Sequence, residues 1–139
     1  MYPQSILENV SWVLDDSTYD SIEEFVNAVS ARVDAENAAM KDAGQPTDDA
    51  WKPAEIALDE TQLTIVIEEV YDQNDEEIDL MFDIKSDGAS FTNGELLFRI
   101  HTLVADKIKN GIEFGDHCFF EGLGLDEENG GRYFCHLGS

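Results

Sequence analysis

Apolar side chains recur along this chain with two different periods. From Phe91 to Gly111 they fall at helical spacing: Leu96, Leu97, Ile100, Leu103, Val104 and Ile108 make one stripe. Thr92 with Glu95 three residues on reads as a capping box, Phe91 and Leu96 stand where a hydrophobic staple needs them, and Asn110-Gly111 offers a left-handed stop. A second box, Ser21 with Glu24, opens a helix whose stripe is Ile22, Phe25, Val26, Val29, Val33 and Met40. Gly44 ends that helix and Pro46 keeps it ended. Its stripe thins after Val33, so its last two turns are expected to project from the body.

Elsewhere the period is two. Val10, Trp12 and Leu14 allow a short strand, Ala54, Ile56 and Leu58 predict another, and Leu63, Ile65 and Ile67 face one way in a third. Ile78, Leu80, Phe82 and Ile84 form the next set, with Asp79, Asp83 and Lys85 on its other face. His117–Leu125 and Arg132–Leu137 then read as a hairpin closed by Asp126–Gly131. A loop centred on Glu128 and Asn129 would set Glu121 opposite His136 and Leu123 opposite Phe134. Gly122 and Gly124 suggest a bulge or a close backbone approach. Gln45–Pro53 is a polar connection, with Trp51 expected to anchor it to the core.

The order α-β-β-β-α-β-β predicts an α+β fold in two layers. A mainly antiparallel sheet of about five strands would carry two helices, in a single domain over residues 1–139. No repeat or long linker divides the chain.

Charge changes this bland picture. There are 31 acidic residues against 8 basic ones, a formal net charge of −23. Small soluble domains usually carry a magnitude of about 2–8. Self-repulsion on that scale opposes the compact state, so it calls for a reason. Attraction of a basic protein, imitation of nucleic-acid phosphates, and solubility all supply one. Direct nucleic-acid binding is disfavoured, because no basic stripe exists to neutralise phosphates. The first sixteen residues lack the basic and apolar regions of a signal peptide, and no apolar run approaches the ~20 residues that span a bilayer. A cytoplasmic protein with no membrane association is expected.

Candidate chemistry is sparse. Cys118 and Cys135 match no zinc spacing and are expected to be buried thiols. His101 reads as a packed or partly exposed helix residue. His117, His136 and Glu121 could meet on the last hairpin as an open metal site, although a cross-strand pair of Glu121 and His136 is the plainer expectation. Glu121, inside CFFEGL, is the one carboxylate in an apolar setting. With so many carboxylates, pairs alone say nothing of acid–base catalysis. The sequence carries no phosphate loop, nucleophile elbow or EF-hand. No cofactor, metal or catalytic residue is expected.

The stretch from Phe91 onward, with GELLFRIH, DHCFFEGL and a closing HLGS, resembles the C-terminal half of small immunity proteins of bacterial polymorphic and contact-dependent toxin systems. The resemblance implies a non-enzymatic, single-domain inhibitor of a toxin domain. Charge independently favours a basic partner, such as a nuclease. Expected contacts are the acidic hairpin tip Glu68, Glu69, Asp72, Asp75, Glu76 and Glu77 with Tyr71, and a second patch of Asp126, Glu127 and Glu128; Trp51 is a further possible aromatic anchor. The rival readings are a DNA mimic acting on a DNA-binding protein, a small enzyme or metal-binding domain built on the last hairpin, and a housekeeping domain whose charge serves solubility.

Overall fold

The computed structural model describes residues 2–47 and 50–138; Asp48 and Asp49, inside the predicted polar connection, lie outside the described residues. Two short strands come first, β1 (Ser5–Ile6) and β2 (Trp12–Val13), followed by helix α1 (Ile22–Asp42). Then come β3 (Ile56–Leu58), β4 (Gln62–Tyr71), β5 (Glu77–Lys85), β6 (Phe91–Thr92) and helix α2 (Asn93–Lys109). The hairpin β7 (Phe119–Leu125) and β8 (Arg132–Gly138) completes the order.

Both helices start where their caps dictate. Ser21 Oγ accepts the Glu24 N–H at 3.2 Å, and Thr92 Oγ1 accepts the Glu95 N–H at 3.1 Å. Gly44 and Gly111 lie beyond the two C-termini with φ of 72° and 96°, conformations that cost a side chain energy and glycine little. Leu96, Leu97, Ile100 and Val104 are all buried, so the α2 stripe is the centre of the core. In α1 only Phe25 and Val29 are buried; its later turns lean on Trp51, whose Nε1 donates to Ser30 Oγ at 3.0 Å. Trp51 is therefore an anchor for its loop.

The architecture is α+β, with a main sheet of six strands in the order β1-β7-β8-β4-β5 and β2 beside β1 on the β7 edge. Pairings are antiparallel except β4 with β8, which run parallel. The strand predicted at Ala54–Leu58 is not in this sheet; β3 pairs with β6 in a small sheet of its own. Leu63, Ile65 and Ile67 of β4, Leu80, Phe82 and Ile84 of β5, and Tyr133 and Cys135 of β8 all point into the core. The other face carries Asp79, Met81 and Asp83, Thr64 and Val66, and Arg132, Phe134 and His136, and no helix among the described residues covers it.

Two irregularities correct the predicted hairpins. The register of β7–β8 shifts between Phe120 and Gly122, so Gly122 opposes His136 and Leu123 opposes Cys135, one residue off the predicted pairs. The bulge takes up Glu121, and Gly122 turns through φ 120° to make it. In β4 a shift between Ile67 and Val70 sets Glu69 at φ 62°. Pairing resumes at Val70 and Tyr71, so the turn is only Asp72–Glu76. Half of the acidic tip expected over Glu68–Glu77 is strand: Glu68, Glu69 and Glu77 lie in β4 and β5, and Asp72, Asp75 and Glu76 in the turn.

Candidate functional site

Three places hold the candidate residues. The first is the tip of the β4–β5 hairpin. Asp72 Oδ1 accepts the N–H groups of Asn74 and Glu76 at 2.8 and 3.0 Å, which folds the turn on its own carboxylate. Gln73 Nε2 donates to Asn110 O at 2.9 Å, and Tyr71 exchanges backbone bonds with Glu113. The tip is thereby pinned to the end of α2. Asp75, Glu76 and Glu77 stay exposed, and so does Tyr71.

The second place is the β7–β8 loop. Asp126 caps it by accepting from the Asn129 side chain and the Glu128 N–H, and these bonds, the Asn129 one foremost, hold its carboxyl below the usual carboxylate range. Because β8 runs parallel to β4 with Arg132 beside Thr64, this loop lies at the start of β4, whereas the tip lies at its end. The predicted patches therefore stand at opposite ends of the sheet, roughly 30 Å apart along a ten-residue strand. They do not make one surface.

The third place is a recess of about 580 Å³ on the uncovered face, bordered by Glu68, Glu69, His117, Glu121 and His136. The last hairpin does bring His117, Glu121 and His136 to one recess. Glu121 is exposed, however: it alternates with buried Phe120 and so leaves the apolar setting expected for it. Its carboxylate lies over Gly138, and the His136 ring lies over Gly124, where a Cβ would meet Nε2 at 2.6 Å. Among the described residues no three His, Cys, Asp or Glu side chains converge closely enough to hold a metal ion.

His101 belongs elsewhere. It is 1% exposed, and its ring packs against Trp12, Tyr19 and Phe25. Trp12 Nε1 donates to Nδ1 at 3.0 Å, which leaves Nε2–H to donate to the Ser17 carbonyl at 2.9 Å. Both ring nitrogens are thus committed in the neutral form. Burial lowers its pKa from 6.5, against the raising pull of the Ser17 carbonyl and the Asp15 carboxylate. The ring fastens the segment before α1 to α2. Cys135 is equally quiet chemically, its thiol pushed up to about 12 by burial.

Compared with family models, curated proteins and solved structures, the chain matches none. No helix among the described residues is long and apolar enough to cross a membrane.

Residues absent from the predicted contacts stand out on the uncovered face. Met81 pairs with Val66, Val66 with Phe134, and Phe134 with Gly124, so one apolar row crosses four strands. Met81 is 57% exposed and Phe134 half-buried; Phe119, 44% exposed, lies farther along β7. Asp79 and Asp83 flank Met81, and Glu68 and Glu121 stand to one side. Exposed carboxylates also occur on α1 and in the loops, so charge alone marks no face; the apolar row does. Its signal in the sequence was Met81, an apolar residue at the outward position between Asp79 and Asp83.

Proposed function

We propose that the protein is an immunity-type inhibitor, a non-enzymatic binding protein that engages and neutralises a basic toxin domain. The observation that carries this reading is the apolar row on the outer sheet face, in which Met81 stands 57% exposed and Phe134 half-buried on either side of buried Val66, flanked by Asp79, Asp83, Glu68 and Glu121. Protein-binding surfaces combine an apolar centre with a charged rim: the centre supplies affinity when desolvated, and the rim supplies on-rate and choice of partner. A rim of this sign selects a basic partner. The acidic tip and the Asp126–Glu128 loop, at the two ends of the same sheet, extend the attractive field beyond the row. Imitation of nucleic acid has less support, because Met81 interrupts the carboxylate row Glu77, Asp79, Asp83 on β5 and Lys85 ends it.

The test is capture from the native organism at low salt, with the wild-type protein and the Met81→Asp variant as baits. The reading requires a stoichiometric basic protein that wild type holds and the variant loses. Expressed alone, that protein must be toxic, and co-expression of this chain must cancel the toxicity. Recovery of no such partner, or of DNA-binding proteins released by added DNA, refutes it.

A further inference from the structure

The two edges of the main sheet are treated differently. Along β7 both β1 and β2 pair, which covers that edge. At the other end of the order stands β5, nine residues long and, among the described residues, paired only with β4. Its backbone orientation follows from one bond. Thr64 N–H donates to Gly131 O on the β8 side, so by alternation Leu63, Ile65 and Ile67 bond toward β5. Their partners Ile84, Phe82 and Leu80 bond back. The N–H and C=O groups of Asp79, Met81 and Asp83 therefore point away from the sheet.

An edge of this length is a template for another strand. Here it borders two different surfaces. On the core side, at the Lys85 end of β5, a groove of about 530 Å³ separates the strand from α2; Ile22, Ile84, Phe98 and Leu103 give it apolar walls, and Glu95 and Arg99 also line it. On the other side lie Asp79, Met81 and Asp83. An added strand would send alternate side chains to these two surfaces. Apolar residues would suit the groove and basic residues the carboxylates. A second copy of this chain fits poorly, since β5 against β5 would set Asp79 and Asp83 against each other, and like charges across a strand pair repel. The carboxylates thus guard the edge against itself and favour a basic strand.

We propose that the β5 edge docks an extended, basic segment of a protein partner by strand addition, its apolar residues entering the groove between β5 and α2. This deepens the reading of a basic partner, and it is tested without that partner. The probe is a nine-residue peptide alternating valine and lysine. The readout is amide exchange by NMR on the labelled full chain. Slowed exchange at Asp79, Met81 and Asp83 is expected, with no such effect from the valine–glutamate peptide. Met81→Pro, tolerated at an edge, removes one outward N–H and should weaken binding about tenfold. A peptide N-methylated at alternate residues should fail on the unaltered protein, which covers the case of a variant that does not fold. Failure of the lysine peptide to bind, or binding that leaves those three amides unprotected, overturns the proposal. A basic toxin captured in the experiment above would then still stand, and conversely peptide docking without any captured toxin would leave the edge and remove the inhibitor.

Discussion

Acidification should cost this protein stability through a single side chain. In the folded state both nitrogens of His101 are occupied: Nδ1 accepts from Trp12, and Nε2–H donates to Ser17 O. A second proton on Nδ1 would face the indole N–H donor. The unfolded chain has no such restriction and takes up the proton near 6.5. A depressed folded-state pKa contributes stability that is present above 6.5 and lost as pH falls toward the folded value. Between about pH 7.5 and 5.5, one proton bound only by the unfolded chain costs at most about 1.4 kcal/mol. At about 2.1 cal/mol/K per residue, that is roughly 5 °C in Tm for a chain of 139 residues. The same acidification also relieves repulsion among the carboxylates, so the wild-type profile alone is ambiguous. His101→Gln removes the titration; the ring contacts it loses lower stability at every pH alike, so the two pH slopes can be compared. Urea unfolding followed by tryptophan fluorescence should show wild type losing more stability than the variant over this range, up to about 1.4 kcal/mol. Parallel profiles for the two proteins would refute the assignment. So would an NMR titration in which His101 protonates at or above 6.5.

Two further outcomes follow from the geometry. Gly122→Ala should destabilise by about 1–3 kcal/mol, because Gly122 sits at φ 120° against the backbone of Ile6 and Leu7, whereas Gly124→Ala meets only the end of the exposed His136 ring and should cost under about 1 kcal/mol; thermal melts separate the two. Near pH 8 in native buffer, iodoacetamide should modify half-buried Cys118 well before buried Cys135, whose thiol lies at about 12; equal rates by peptide mass spectrometry would contradict the burial of Cys135.

How far the fold could be read depended on how local each determinant was. The caps at Ser21 and Thr92 act within three residues, and both helices begin there. The β4–β5 hairpin showed in its alternation, but Glu68 and Glu69 read as turn. Charge suggested a solvated loop, while Val70 and Tyr71 went on to pair with Ile78 and Glu77. In the last hairpin Gly122 announced a bulge without saying where its extra residue would go, and the register came out one residue off. The alternation of Val10, Trp12 and Leu14 marked β2, whereas β1, two residues long, has no period to detect. The partners of His101 are 84 and 89 residues away in sequence, beyond any local pattern. The same holds for the parallel pairing of β4 with β8, and so for the apolar row that this pairing completes.

That parallel pair also orders events during synthesis. β8 sits between β4 and β7, so before residues 132–138 are made the main sheet is in two pieces with no strand pairing between them, linked through α2 and its His101 contacts. One is the β4–β5 hairpin with its helix; the other is the N-terminal strap with β7. Each exposes a strand edge that the finished sheet conceals, and neither closes the core around Tyr133. Nascent chains of this protein should therefore depend on late, long-range closure, with folding slow for a domain of this size and held back until β8 has cleared the ribosome.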